Sequence, residues 1–281
     1  MSFGLKWSRF TLDLDQRTHV MGVLNVTPDS FSDGGFFLNR KEAVARGREM
    51  ALEGADIIDV GGESTRPFSG GVSSGEEIER VVPVIRELAA CLEIPISIDT
   101  TKAEVAEAAL EAGASMINDI SALRFDPNLG RVAAAARVPV VLMHMQGSPE
   151  TMQQAPHYEN LMGEIKGFLQ DAVKRAVSAG ISEELLILDP GIGFGKTFEH
   201  NLSIINRFNE LGALGKPLLA GPSRKSFIGH ILDVQPSGRV IGSIAAAVTC
   251  VLKGARIVRM HDVAGTVDAV RVIDSVMREK I

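Results

Sequence analysis

Short runs of Val, Ile and Leu recur along the chain at residues 20–26, 57–60, 96–99, 116–119, 140–144, 185–189, 217–221 and 257–261. They lack polar alternation, so each suits a strand buried on both faces, as in a parallel sheet. Between them, apolar positions spaced three or four apart predict helices over 40–53, 76–92, 102–112, 161–179 and 201–211, with a closing helix at 268–278. Asp99-Thr-Thr-Lys102 offers a helix N-cap directly after its strand, and Gly54, Gly113 and Gly180 stand where helices should end. Strand–helix alternation of this kind predicts an α/β fold, a closed (β/α)8 TIM barrel. Residues 10–14 alternate apolar with polar and predict a short N-terminal strand or hairpin capping the barrel bottom. A doubly wound open sheet is the alternative, but no Gly-x-Gly-x-x-Gly follows the first strand. No Pro/Gly/Ser-rich linker divides the chain, which reads as one domain over residues 1–281.

Composition narrows the function classes. Lys plus Arg is 29 against 35 for Asp plus Glu, a net charge of −6, so no global positive field exists to hold nucleic acid. Only Cys91 and Cys250 occur, too few for a disulfide framework, which makes a reducing cytoplasm the expected home. Residues 1–19 carry charges throughout, so no signal peptide is expected. The most apolar stretch, 240–252, is too short to span a bilayer. As a helix it would be apolar all round, which calls for burial in the core or against a second subunit.

The barrel reading turns strand ends into candidate chemistry, because active sites sit at the C-terminal ends of barrel strands. Those ends carry Asn25, the run Gly61-Gly62-Glu63-Ser64-Thr65-Arg66, Asp99, Asn118-Asp119, Met143-His144, Asp189, Gly221-Pro222-Ser223-Arg224-Lys225, and Arg259 with His261. The cations Arg66, Lys225, Arg259 and His261, with Asn25, Ser64 and Thr65 as neutral donors, suit a phosphate or diphosphate. The plainer alternative is that each cation pairs with a neighbouring carboxylate. Asp189 can accept two parallel hydrogen bonds from an amino-pyrimidinone edge, and Asn118 can donate and accept at once. With Asp99 they suit a flat, donor-rich heterocycle such as a pterin or guanine, although Asp99 could instead cap the next helix. A glycosidase carboxylate pair is disfavoured by the surrounding cations. Gly191-Ile-Gly-Phe-Gly-Lys196 lacks the spacing of an NTPase phosphate loop. His144 stands without a second metal-spaced His or Cys and reads as structural. Asn25 could supply one oxygen to a Mg2+ ion held mostly by a diphosphate.

The same segments carry a resemblance. Met21-Gly-Val-Leu-Asn-Val-Thr-Pro-Asp-Ser-Phe-Ser-Asp-Gly-Gly35 and Asp59-Val-Gly-Gly-Glu-Ser-Thr-Arg-Pro67 resemble the first two motifs of the dihydropteroate synthase family. Ser97-Ile-Asp-Thr100, Asn118-Asp-Ile120, Asp189-Pro-Gly-Ile-Gly-Phe-Gly-Lys196, Gly221-Pro-Ser-Arg-Lys-Ser-Phe-Ile-Gly229 and Arg259-Met-His-Asp-Val263 follow in order. The resemblance implies condensation of 6-hydroxymethyl-7,8-dihydropterin diphosphate with 4-aminobenzoate, giving 7,8-dihydropteroate and diphosphate. It implies a pterin held by Asp99, Asn118, Met143, Asp189, Phe194, Lys225 and Arg259. It puts the diphosphate on Asn25, Arg259 and His261, with Mg2+ at Asn25. It puts the benzoate near Phe36, Thr65, Arg66, Pro67, Phe194 and Ser223. Asp99, Lys225, Arg259 and His261 are then the candidate catalytic residues. The resemblance also implies a homodimer and a target of benzoate-mimicking sulfonamides. One departure is Phe68-Ser-Gly-Gly71, where a small residue is expected after Arg66-Pro67. A pterin-dependent methyltransferase with a corrinoid partner and a non-catalytic pterin-binding paralogue are the competing readings.

Overall fold

The computed structural model describes residues 3–27, 35–63 and 71–279. An antiparallel hairpin, β1 (Gly4–Trp7) and β2 (Phe10–Asp13), precedes the barrel. The barrel strands are β3 (His19–Asn25), β4 (Ile57–Gly61), β5 (Ile96–Asp99), β6 (Met116–Asp119), β7 (Val140–Met143), β8 (Leu186–Asp189), β9 (Leu219–Ala220) and β10 (Ile257–Met260). They form one parallel sheet in the order β8-β7-β6-β5-β4-β3-β10-β9. A parallel bridge between Leu188 and Leu218 joins its two ends, with the Leu188 N–H donating to the Pro217 carbonyl at 3.0 Å. The ring is thereby closed, as the eight apolar runs predict.

Burial on both faces explains why those runs are apolar. Val60, Ile98, Ile117, Val141, Ile187, Leu219 and Val258 all sit at 0% exposure. The outer layer comprises α1 (Gly35–Leu52), α2 (Ser74–Ala89), α3 (Ala103–Glu111), α4 (Leu129–Ala136), α5 (Leu161–Ser178), α6 (Phe198–Asn206), α7 (Ser226–Leu232), α8 (Val240–Leu252) and α9 (Val263–Arg278). Gly54, Gly113 and Gly180 follow their helices with φ of +96°, +115° and +96°, the left-handed stop that glycine takes without strain. The hairpin buries Leu5, Trp7 and Leu12, and β1 lies against the turn that leads into β8, at the barrel bottom.

Four expectations need correction. Strand β9 is shorter than the run 217–221, because Pro217 has no N–H to give the ladder. The helix expected over 201–211 is α6 followed by a separate 3-10 turn, Phe208–Leu214. The short helices α4 and α7 were not anticipated; α4 reads Leu-Gly-Arg-Val-Ala-Ala-Ala-Ala and offers little apolar–polar contrast. Asp99-Thr-Thr-Lys102 does not cap α3: its N-cap residue Lys102 makes no side-chain cap. The Ala103 N–H instead donates to Asp126 Oδ2 at 2.7 Å.

Helix α8 buries Ser243, Ala247, Cys250 and Val251 against the barrel. Its Ile241 and Leu252, with Val272 and Val276 of the adjoining α9, remain exposed. No helix among the described residues is long and apolar enough to cross a membrane.

Candidate functional site

Side chains alternate across a strand, so neighbouring polar residues at a strand end take different jobs. On β6, Asn118 donates through Nδ2 to Asp59 Oδ2 at 3.0 Å. Its neighbour Asp119 accepts from the Ser121 and Leu123 N–H groups and shapes the following turn, where Ala122 and Leu123 have positive φ. Asn118 therefore belongs to the mouth and Asp119 to its scaffold.

Asp59, in the middle of β4, is fully buried. Its Oδ2 also accepts from Arg259 Nε at 2.6 Å, while Arg259 Nη2 donates to Asp99 Oδ2 at 2.6 Å. One guanidinium from β10 thus bridges carboxylates at β4 and β5. Asp59 Oδ1 is buried without a hydrogen-bond partner among the described residues. Burial pushes the Asp99 carboxyl up, against the pull of Arg259 and with help from Asp59, Glu77 and Asp119. The guanidinium is itself raised by its two carboxylates, which outweigh the cost of its burial. For Arg259 the carboxylate-pairing alternative therefore holds. Its Nη1 edge has no hydrogen bond among the described residues, so it can still meet a ligand.

Asp189 ends β8 and is 5% exposed. Its Oδ1 accepts the Gly191 N–H at 2.7 Å, whereas Oδ2 lies beside Gly221, 4.0 Å from where a Cβ would stand there. Burial pushes its carboxyl up to about 6, opposed by the Gly191 hydrogen bond and by Lys225, Lys196 and Arg259. Lys225 places its Nζ 4.0 Å from the centre of the Phe194 ring. Burial, aided by Arg259, lowers Lys225 to about 8. Phe194 and Met143 belong to a small apolar cluster with Ile120, Met145 and Met152. Charge around an apolar floor suits a flat heterocycle better than a sugar or a free phosphate.

His261 requires a correction. The sequence groups it with the cations, but burial and the nearby Arg259, Arg224 and Lys225 lower its pKa to about 3. Its backbone N–H donates to Ser223 Oγ at 3.1 Å, and its Nδ1 lies 2.9 Å from the same oxygen. The Ser223 hydroxyl is free to donate to Nδ1, which would put the ring hydrogen on Nε2. His261 is thus a neutral imidazole in the free protein. His144 is 4% exposed and packs edge-on against Phe168.

Asn25 and Asp99 flank Gly61, where a Cβ would lie 3.9 Å from Asn25 Oδ1 and 3.8 Å from Asp99 Oδ2. No group of three His, Cys, Asp or Glu among the described residues could hold a metal ion unaided. Thr65, Arg66, Pro67 and Phe68, and the side chain of Phe36, lie outside the described residues. The structure therefore brings together Asn25, Asp99, Asn118, Met143, Asp189, Phe194, Ser223, Lys225, Arg259 and His261 at one end of the barrel. Sequence reasoning missed Asp59 as a site residue. Its position inside an apolar run was the available signal, since a mid-strand buried carboxylate must have a partner.

A family described as pterin binding enzyme matches residues 21–261. The dihydropteroate synthase of Synechocystis sp. is 50% identical over 267 residues, 95% of this chain and 92% of that protein. The dihydropteroate synthase of Yersinia pestis, solved with a sulfonamide drug, superposes with a TM-score of 0.93 at 47% identity, covering 98% of this chain and 100% of that one. That of Xanthomonas albilineans, solved with 4-aminobenzoic acid, gives 0.92 at 47% identity, with 99% of each chain covered.

Proposed function

This chain belongs to the pterin-binding enzyme family, and we propose from that premise how its barrel mouth divides the labour of the reaction. The chain is a transferase of the dihydropteroate synthase kind, condensing 6-hydroxymethyl-7,8-dihydropterin diphosphate with 4-aminobenzoate in folate biosynthesis. The C–O bond to diphosphate breaks, the arylamine nitrogen bonds to the methylene carbon, and the nitrogen loses a proton. Diphosphate is a good leaving group, so no covalent enzyme intermediate is required. The observation that carries this division is the buried Arg259 clamped between Asp59 and Asp99, with Asp189 across Gly221 from it.

In this reading Asp189 accepts from the 2-amino and N3–H groups of the pterin. Asn118 spends its Nδ2 on Asp59, so its Oδ1 faces the ligand as an acceptor. Lys225 and the Arg259 plane pack with Phe194 and Met143 around the ring. Asp99 is the carboxylate nearest the cationic methylene that forms as diphosphate departs. Asn25, the Nη1 edge of Arg259 and the His261 Nε2–H hold the diphosphate.

A lone carboxamide oxygen fits a Mg2+ ion whose other ligands are phosphate oxygens and water, so Asn25 would hold it. When bound, Mg2+ supplies charge neutralisation for the leaving group. The 4-aminobenzoate site is assigned to Phe36, Thr65, Arg66, Pro67, Phe194 and Ser223. The whole chain, 1–281, acts as one domain in the cytoplasm. Exposed Ile241, Leu252, Val272 and Val276 on α8 and α9 support a homodimer.

The arylamine must attack the pterin methylene, so bound pterin forms one wall of the benzoate site. Calorimetry should therefore show negligible 4-aminobenzoate binding to the free protein and clear binding once pterin and Mg-diphosphate are present. Both substrates together should release diphosphate. Binding without release would instead mark a pterin-binding protein with no catalysis, and tight benzoate binding to the free protein would refute the ordered site.

His261→Ala should separate the two parts of the first substrate. Loss of one hydrogen bond to a charged group costs about 1.5–3 kcal/mol, or roughly 10- to 150-fold in affinity for the pterin diphosphate. Affinity for plain 6-hydroxymethylpterin should stay within about twofold, since that ligand has no phosphate for His261 to meet. Equal weakening of both ligands would remove His261 from the diphosphate site.

A further inference from the structure

The glycine-rich segment 191–196 resembles a phosphate loop, yet the arrangement of its lysine points elsewhere. Lys196 is 3% exposed. Its Nζ donates to the Phe194 carbonyl at 2.8 Å, lies 3.0 Å from His144 Nδ1, and reaches the His144 carbonyl at 3.5 Å. These are three acceptors for three ammonium hydrogens, and all are neutral. No carboxylate among the described residues pairs with it directly, which is rare for a buried lysine. The loop around it is pressed against the exit of β7. A Cβ on Gly191 would stand 1.9 Å from the His144 carbonyl oxygen, and one on Gly195 would stand 2.8 Å from the Gln146 carbonyl oxygen. The Tyr158 hydroxyl donates to the Gly195 carbonyl at 2.8 Å from the other side. The same loop supplies both the Gly191 N–H on Asp189 and the Phe194 ring beneath Lys225.

We infer that Lys196 is a positioning residue for the pterin site: it latches the 191–196 loop to the end of β7 and keeps a positive charge within electrostatic reach of the Asp189 carboxylate. This rests on the assignment of Asp189 and Phe194 to the pterin. The latch fixes where Phe194 lies and which way the Gly191 N–H points. The charge acts through space, because Lys196 is among the groups that favour ionised Asp189.

The ionisation order is consistent. Burial lowers Lys196 to about 7, with Lys225 adding to the fall and Asp189 opposing it. Asp189 is held near about 6. On the acid side, where Asp189 begins to take up a proton, Lys196 is therefore charged. The groups facing the pair are His144 from the end of β7, lowered to about 2, Lys225 after β9, Arg259 on β10 and Cys250 on α8. Arg124, after β6, bears on His144. His200 on α6 also interacts with Lys196, and burial lowers its pKa, while His144 and Cys250 stay neutral between about 5 and 8.

Two substitutions divide the latch from the charge. Lys196→Gln keeps an N–H donor and removes the charge; Lys196→Met removes both. Binding of 6-hydroxymethylpterin by calorimetry from pH 5 to 8.5, with melting temperatures, reads the result. Lys196→Gln should move the acid limb of pterin affinity upward by about half a pH unit or more, because Asp189 loses a favourable charge. Lys196→Met should show the same shift and bind roughly tenfold more weakly at pH 8, where Asp189 is ionised in either case. A role confined to stability would lower both melting temperatures and leave the acid limb where it is, which overturns the inference. If the Met variant fails to fold, an unmoved acid limb in Lys196→Gln is enough to overturn it. Asp189→Asn is the control. Wild-type pterin affinity in that variant would overturn the pterin assignment itself, whereas weakened Asp189→Asn with an unmoved Lys196→Gln limb overturns only the role of Lys196.

Discussion

Arg259→Met should cost the enzyme both its stability and its leaving-group chemistry. The methionine fills much of the volume but leaves Asp59, fully buried, and Asp99 without their shared counter-charge. Removing one member of a buried ion cluster typically costs about 3–5 kcal/mol. For a chain of this size the melting temperature should fall by roughly 6–20 °C. Turnover should drop further than occupancy explains, since Arg259 offers its Nη1 edge to the diphosphate as charge develops there. Loss of such a donor costs about 100- to 1000-fold in kcat. Adding Asp59→Asn should recover part of the melting temperature without recovering turnover, because the amide relieves the orphaned charge but cannot hold a phosphate. An unchanged melting temperature in Arg259→Met would mean the cluster is solvated and contributes little.

Asp189→Asn is expected to move stability and binding in opposite directions. Burial raises the folded-state pKa of Asp189 from the ordinary carboxylate value of 3.8 to about 6. A raised carboxylate means the folded state prefers the proton. Above about pH 6 the buried charge is therefore a net penalty on folding, and that penalty fades as pH falls toward the unfolded value. The uncharged amide escapes it. At pH 8 the variant should be more stable by about 1–3 kcal/mol, and the gain should shrink toward pH 4. Asn can still accept the Gly191 N–H through its oxygen, so the turn survives. Against the pterin it presents a donor to a donor, and affinity should fall roughly 5- to 150-fold. In wild type the same ionisation should make pterin affinity decline as pH drops through about 6. A melting temperature that falls at pH 8, together with unchanged pterin affinity, would contradict both halves.

Some of this was legible from the linear pattern. A strand buried on both faces tolerates a polar residue in its middle only with a partner, so eight apolar runs announced eight barrel strands, seven of them to within a residue at each end. Barrel geometry then gathers strand ends at one face, which is why Asn25, Asp99, Asn118, Asp189 and Arg259 could be grouped before any contact was known. The glycine helix stops were equally local, since a positive φ is a property of the residue itself. Other features depend on what lies opposite. Asp59 sits within an apolar run, and only the closure of β10 onto β3 brings Arg259 to it from 200 positions away. His261 resembles a cation in a list of residues, yet its burial beside Arg259 and Lys225 makes it neutral. The cap of α3 comes from Asp126, more than twenty positions along the chain. Lys196 follows a glycine-rich turn whose spacing departs from a phosphate loop, but only the fold shows its ammonium sealed against His144. Backbone preference and hydrophobic burial act over a few residues, so periodicity and turn chemistry carry them. Charge state, hydrogen-bond partner and side-chain direction are set by neighbours distant in the chain and by the water they exclude, so only the folded barrel decides them.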